Sequence, residues 1–320
     1  MSNAMLLSLG FRVLNAPRAI IGGWVRATSP GWRAGLRLLV MALGVALLTG
    51  CSAVRLAYNQ GPNLAYWWFD DYVDFNAAQS PRAEAVIDDW FRWHRREELP
   101  RYAELLGKAS EQLGGPVSAE QTCGWFDVAN TRAEVALERA LPGLAEVAMQ
   151  MRPAQLVHLE RKYAEIYKKI IEDYLQPDPQ ARAQARLKQA LKPIEFVFGE
   201  MSDEQRTRIA ALALQTPFEP ERWIAERRRR QQDTLQTLRQ ISAPLASAEQ
   251  ATTALRALAQ RSRLSPDDDY RAYQQRLVQF NCRFAAEVHQ LTTQEQRRAA
   301  AGQFTDWADD ARALAAKAQP

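Results

Sequence analysis

Residues 153–174 read PAQLVHLERKYAEIYKKIIEDY, the most regular amphipathic stretch of the chain. Its large apolar side chains recur at offsets of three and four, at Leu156, Leu159, Tyr163, Ile166, Tyr167, Ile170 and Tyr174. Side chains at this spacing share one face of an α-helix, and such a helix is stable when that face is covered by other elements. The stretch therefore predicts a long helix packed in a helical core.

The rest of the chain from Pro62 onward has the same helical character. Ala, Leu, Glu, Gln and Arg are abundant, and alternating runs of β-branched residues, which are typical of strands, do not occur. A helix is predicted to begin after Ser80, to bend or break before Pro100, and to end at Gly114, and another begins near Ser118, with a kink or new start at Pro142. Further helices are predicted near 180–198, 203–214, 219–240, 246–262, 267–290 and 294–317. Short connections between long helices predict an all-α, antiparallel, bundle-like assembly.

Pro177-Asp178-Pro179 interrupts this pattern and predicts a boundary. It separates an N-terminal helical half, residues 62–176, from a C-terminal half, residues 177–320. The two halves can also form one continuous domain.

The beginning of the chain has the pattern of a secretory signal, predicted for residues 1–50. Five arginines and no acidic residue precede an apolar run from Leu38 to Leu48, which is too short for a stable membrane span. The run ends in Leu48-Thr49-Gly50-Cys51, which resembles the bacterial lipobox. That resemblance implies a diacylglyceryl group on the Cys51 thiol, cleavage before Cys51, and a tether over residues 51–61. A single-span membrane protein with an unmodified Cys51 is the alternative.

Ser52 follows the lipobox cysteine. In the lipoproteins that this segment resembles, Asp at that position tends to retain the protein in the inner membrane. Ser52 therefore favours the outer membrane, with the domain on its periplasmic face, and the inner membrane is the less favoured location.

The net positive charge of the whole chain comes from the predicted signal. The first fifty residues hold five of the 41 basic residues and none of the 37 acidic ones, which leaves 36 against 37 and a net charge of −1. The predicted mature chain thus gives no support for binding to nucleic acid. Besides Cys51 it contains Cys123 and Cys282, and an oxidising periplasm favours a disulfide between them. Two separately buried thiols remain the alternative.

Tyr66-Trp67-Trp68-Phe69-Asp70-Asp71-Tyr72-Val73-Asp74 is unusually aromatic and acidic for a tether. With the lipobox before it and Trp90-Phe91-Arg92-Trp93-His94 after it, this segment resembles a proteobacterial family of lipoproteins of unknown function with a YWWxDDYxD signature. The resemblance covers the whole predicted mature chain. It implies an exported helical lipoprotein and does not imply an activity.

Two interpretations of residues 66–74, together with His94, remain open. We favour the structural one, in which the tryptophans pack into the helical body and the carboxylates pair with arginines. In the other, Tyr66, Trp67, Asp70, Asp71, Asp74 and His94 line a groove that binds a ligand or carries an acid/base pair, as glycosidases require.

Four helix starts share a loose pattern typical of a capping box, in which Ser or Thr precedes Gln or Glu by three residues, although Met151–Gln155 has Arg in place of Ser or Thr. They are Val117–Gln121, Met151–Gln155, Met201–Gln205 and Leu291–Glu295. These segments weakly resemble the LTxxQ motif of the Spy and CpxP-type periplasmic stress proteins, which implies a chaperone-like role. Capping alone also explains them.

Motifs for catalysis or metal binding are missing from the sequence. The three histidines, His94, His158 and His289, lie far apart, and neither a glycine-rich phosphate loop nor a Gly-x-Ser-x-Gly segment occurs. We therefore expect no metal and no cofactor. The favoured function is a non-enzymatic interaction or chaperone-like module, held at the membrane by its lipid and binding an envelope protein. The alternative is a hydrolase or ligand-binding protein that acts on peptidoglycan or lipid through residues 66–74.

Overall fold

A computed structural model describes residues 53–243 and 246–317. The predicted signal, residues 1–50, and the predicted lipid attachment residue Cys51 lie outside the described residues. Met1–Gln60 and Gly61–Pro320 form separate units. In the first unit, the described residues contain one short helix, α1 (Ala53–Asn59).

The second unit is built of helices. They are α2 (Gly61–Val73), α3 (Ser80–Trp93), a π-helical turn (His94–Glu98), α4 (Leu99–Leu113), α5 (Ala119–Met149), α6 (Pro153–Tyr174), α7 (Pro179–Phe198), α8 (Asp203–Ala213), α9 (Pro220–Ile241), α10 (Ala248–Arg263), α11 (Asp268–Leu291) and α12 (Gln294–Ala316). No strand occurs in the described part of the chain. The predicted all-α, multi-helix class is confirmed.

The 31-residue helix α5 is at the centre of this unit. It packs against α3, α9, α10 and α11, while α4 lies along α12. Helices from both sides of Pro177 therefore share contacts. The apolar stripe of α6 faces inward, with Leu156, Leu159 and Ile170 buried, and α6 packs on α2 and α9.

The predicted break before Pro100 is a π-helical turn that joins α3 to α4, so the chain stays helical through this region. Proline cannot donate a backbone hydrogen bond, and its ring collides with the carbonyl one turn earlier in a regular α-helix. A widened turn just before proline relieves that conflict. Pro142 lies inside α5, which continues past it.

Two pairs of glutamines connect helix starts that are far apart in sequence. Gln155 accepts from the Arg152 backbone N–H at 2.9 Å, and its side-chain amide pairs with that of Gln79, each donating to the other at 2.8 and 3.2 Å. Gln205 and Gln296 exchange equivalent bonds at 2.7 and 3.3 Å. Gln155, Gln205 and Gln296 therefore cap their own helices and also bond to the start of a neighbouring helix.

The capping boxes are centred on Ser118, Ser202, Ser247 and Thr293. At the last of these the partner is Gln296, one residue beyond the expected segment Leu291–Glu295. Arg152 has no side-chain acceptor, so only the glutamine half of its box forms.

A disulfide joins Cys123 on α5 to Cys282 on α11, with Cα atoms 5.3 Å apart and a sequence separation of 159. Cys282 is almost completely buried. The bond therefore connects the central helix to one from the other side of Pro177.

Gly143 lies where α5 and α3 approach each other closely, because a Cβ at this position would overlap the Cγ1 methyl of Val86. We expect Gly143→Ala to lower the free energy of unfolding by about 1 to 3 kcal/mol, since crowding in a packed interface exceeds the gain in helix propensity. Gly124→Ala is the matched control on the same helix, because a Cβ there would meet no atom within 4 Å. Urea unfolding of both variants measures the difference, and equal stabilities would contradict this packing.

Among residues 53–243 and 246–317, no helix combines the length and the apolar character that crossing a bilayer requires.

Candidate functional site

The segment Tyr66–Asp74 forms the second half of α2 and the turn after it. Gly61 and Pro62 begin the helix, and proline is favoured in a first turn because its missing N–H is not needed there. Trp67 is 64 % exposed and Trp68 is 40 % exposed. We call these two side chains the α2 tryptophan face.

Tyr66 serves to hold α2 to the rest of the unit. Its hydroxyl donates to Ser80 Oγ at 2.9 Å, and its ring stacks on Phe75 with centroids 5.9 Å apart. Ser80 is the first residue of α3. Tyr66 therefore fastens α2 to the beginning of the next helix.

Asp70 and Asp74 build the turn at the end of α2. The Asp70 carboxylate accepts from the Phe75 backbone N–H at 2.9 Å, and its carbonyl accepts from the Asp74 N–H at 2.7 Å. Asp74 has a φ of 58°, a left-handed conformation that Asp and Asn tolerate better than most residues. Its carbonyl accepts from Gln155 Nε2 at 2.9 Å. Asp70 thus holds the turn, and Asp74 connects it to the Gln79–Gln155 pair.

Asp71 pairs with α6. Its carboxylate lies 2.5 Å from Lys162 Nζ, and its carbonyl accepts from His158 Nε2 at 3.0 Å. The hydrogen bond from Lys162 to Asp71 raises the pKa of that lysine. The Asp71 side chain is 59 % exposed, and a pair this exposed contributes little to stability.

His94 lies elsewhere, in the interior at the start of the π-helical turn. It is buried, stacks on Trp90 at 4.6 Å and lies 5.3 Å from the ring of Tyr102. Trp90 Nε1 donates to the Ala136 carbonyl at 2.8 Å, which fixes this cluster against α5. Burial lowers the pKa of His94 to about 4.

The candidate residues therefore occupy three different surroundings. Trp67 faces solvent, so the expectation that it packs into the helical body is wrong. Asp70 holds the turn after α2, Asp71 and Asp74 bond to α6, and His94 is inside. Asp70 and Asp71 are consecutive in a helix, which separates their directions by about 100°. These two carboxylates are therefore not directed at one substrate bond, as an acid/base pair would require.

A buried ion pair next to His94 was not anticipated from the sequence. The Glu98 side chain is 1 % exposed and lies 3.4 Å from Arg132 Nη1 on α5. Its second oxygen, Oε2, has no hydrogen-bond partner in the described residues. The sequence signal is weak, because Glu98 stands in a run of charges that resembles a solvated surface.

On α9, Arg227, Arg229 and Arg230 are half-buried. Glu226 is buried and accepts from Arg229 and Arg230, both at 2.8 Å, and from Ser265 Oγ at 3.2 Å. Arg228 lies 4.2 Å from the ring centre of Tyr167. These residues hold α9 to α6 and to the loop before α11.

An open groove of about 410 Å³ lies between α5 and the start of α10. Its lining consists of Pro142, Glu146, Ala248, Glu249, Thr252, Thr253 and Arg256, and so does not include residues 66–74. In the part of the chain that the structure describes, no group of three or more His, Cys, Asp or Glu side chains is arranged to hold a metal ion.

We expect acid to destabilise the fold through His94. Its pKa is lower in the folded than in the unfolded chain, where it is 6.5, so the unfolded state binds the proton first as the pH falls. The contribution of neutral His94 is complete above pH 6.5 and is lost toward pH 4, with about 2 kcal/mol lost between pH 7 and pH 5. Urea unfolding at a series of pH values measures this slope.

His94→Phe is the control, because it keeps a ring against Trp90 and cannot titrate. We expect a shallower slope for this variant, with a residual part from His289, whose pKa burial also lowers. An unchanged slope would contradict the assignment.

The chain matches a protein-family model described as a family of unknown function (DUF6279) over residues 71–271. The matched range begins at Asp71, so Cys51 and the α2 tryptophan face precede it. Neither the curated proteins nor the solved structures contain a match.

Proposed function

The chain belongs to the family of unknown function DUF6279, and from this premise we propose that it is a lipid-anchored envelope protein that acts by binding and not by catalysis. The binding partner is another envelope protein. The domain is attached through Cys51 to the periplasmic face of the outer membrane.

The proposal rests on the hydrogen-bond partners of the acidic residues in the segment 66–74. Asp70 accepts from the Phe75 N–H, Asp71 pairs with Lys162, and the Asp74 carbonyl accepts from Gln155. A general acid or base needs a carboxyl group that can reach a substrate. Here the carboxylates of Asp70 and Asp71 have structural partners, while the indoles of Trp67 and Trp68 are exposed to solvent. This difference favours binding.

The anchor half of the proposal rests on Leu48-Thr49-Gly50-Cys51. Each buried CH₂ of an acyl chain contributes about 0.8 kcal/mol, so several chains on one cysteine hold a protein at a membrane permanently. Incorporation of labelled palmitate tests this directly. We expect the label in the wild type and its absence in Cys51→Ala, and a labelled Cys51→Ala protein would refute lipidation at this residue.

Ser52 predicts the destination of the protein. We expect the wild type in the outer-membrane fraction of a density gradient and Ser52→Asp in the inner-membrane fraction, because the residue after the lipidated cysteine directs sorting in the lipoproteins that this segment resembles. Ser52→Thr is the matched control and should stay with the wild type. Wild-type protein in the inner membrane would refute the proposed location.

The binding half is tested by photocrosslinking in intact cells. A benzophenone amino acid is placed at exposed apolar positions in the second unit, namely Val128, Phe196, Leu214 and Leu264. The same amino acid at the exposed residues Glu111 and Glu204 is the control. We expect a discrete crosslinked band from at least one apolar position and none from the controls, with the partner identified by mass spectrometry.

Recovery of the lipoprotein without a partner from all four apolar positions would refute the binding proposal. Envelope glycans and lipids would then be tested as ligands of residues 66–74.

A further inference from the structure

Exposed large apolar side chains are concentrated at the beginning of the described chain. Within the described residues, four of them, Val54, Leu56, Trp67 and Trp68, come before residue 69, and the others are Val128, Val157, Phe196, Leu214 and Leu264. The part of the protein that directly follows the lipobox cysteine is therefore also rich in uncovered apolar surface. Such surface usually marks a contact with a partner or a membrane.

Contacts within the second unit hold Trp68 and the backbone of α2. Trp68 packs against Phe69 at 4.9 Å and Tyr72 at 4.7 Å. The helix itself is joined to α3 by the Tyr66 hydroxyl and to α6 by the Asp74 carbonyl, which accepts from Gln155. Because these contacts are already present, α2 can bring its indoles to a bilayer without ordering new backbone structure, which lowers the entropic cost of docking.

The length of chain between Cys51 and Trp67 limits how far the face can be from the membrane. Residues 53–59 and 61–67 are helical, so they advance about 1.5 Å per residue, and the remaining links advance at most about 3.6 Å each. Trp67 therefore lies within roughly 32 Å of Cys51 in any arrangement of the chain. A lipid on Cys51 therefore keeps this face within reach of the bilayer surface.

The chemistry of the face suits the interfacial region of a bilayer. Tryptophan is enriched there because its ring is apolar while its N–H can remain hydrated. The α2 sequence GPNLAYWWFDDYV contains neither Lys nor Arg. We therefore expect insertion of the indoles among neutral lipids, without dependence on anionic headgroups.

We propose that the α2 tryptophan face docks on the lipid bilayer to which Cys51 is attached. This inference rests on the lipid anchor of the proposed function. It adds a second membrane contact that orients the domain, so that surfaces on other helices face the periplasm and remain open to a protein partner.

Tryptophan quenching by brominated lipid tests the contact. The mature lipoprotein is reconstituted into phosphatidylcholine vesicles with or without bromine on the acyl chains. We expect bromine to reduce the emission of the wild type and this reduction to be lost in Trp67→Phe/Trp68→Phe. Trp307→Phe is the matched control, since Trp307 stacks on Phe196 of α7, and it should be quenched like the wild type. Equal melting temperatures establish that the variants are folded.

Vesicle flotation and the intact mass at Cys51 separate this inference from the proposed function. Acylated, floating protein without quenching, or with quenching that survives in the double variant, would overturn the docking inference alone. A crosslink from position 67 to a protein in place of lipid would overturn it as well. Absence of acyl mass on Cys51 would overturn both.

Discussion

Removal of the Cys123–Cys282 disulfide should lower the free energy of unfolding by about 5 kcal/mol. The bond closes a loop with a sequence separation of 159, and the entropy that such a crosslink removes from the unfolded chain grows with the logarithm of loop length. Because a domain is stable by only about 5 to 15 kcal/mol, this loss is a large share of the total. We expect reduced protein to unfold at a much lower urea concentration than oxidised protein.

The variant Cys123→Ala/Cys282→Ala tests the same bond without reductant. It should match the reduced wild type, apart from the small cavity at Cys282, and reductant should not change it further. A reduced wild type as stable as the oxidised protein would contradict the expected contribution.

Arg132→Met should lower the free energy of unfolding by about 3 to 5 kcal/mol. Arg132 lies 3.4 Å from Glu98, whose side chain is 1 % exposed, and a carboxylate left in the interior without its partner cannot recover its hydration. Arg101 is 4.0 Å from the same oxygen but is half exposed, so it replaces only part of the interaction. Thermal and urea unfolding measure the loss.

Arg139→Met is the matched control on the same helix. Its partner is Asp89, and the two side chains are 40 % and 50 % exposed, so we expect a loss below about 1 kcal/mol. Adding Glu98→Gln to Arg132→Met should restore much of the stability, because it removes the buried charge. Equal losses for Arg132→Met and Arg139→Met would contradict the importance of burial.

Most of the secondary structure could be predicted from the sequence, because its causes are local. The predicted helix near 180–198 is Pro179–Phe198, and the one near 267–290 is Asp268–Leu291. Both follow an aspartate that accepts from the first backbone N–H groups, a signal contained in neighbouring residues. The conformation at Pro100 was harder to predict. A proline disrupts the regular hydrogen bonding of an α-helix, and the surrounding packing decides whether the helix ends or widens into a π-helical turn.

The surroundings of the candidate residues could be predicted only in part. Asp71 does pair with a basic residue, but with Lys162 and not with one of the nearby arginines. His94 and Glu98 stand among charged residues in the sequence and are buried in the structure. Which side of a short segment is covered depends on helices that arrive from far along the chain, here α5 and α12.

By itself, the sequence determined the helical class and the positions of most helices, because apolar spacing, caps and prolines act within a few residues. Only the tertiary structure decided that Cys282 reaches Cys123, that Gln79 pairs with Gln155, and that Trp67 is left in solvent. These outcomes depend on which helix faces pack together, and that choice minimises the free energy of the whole chain and not that of any one segment.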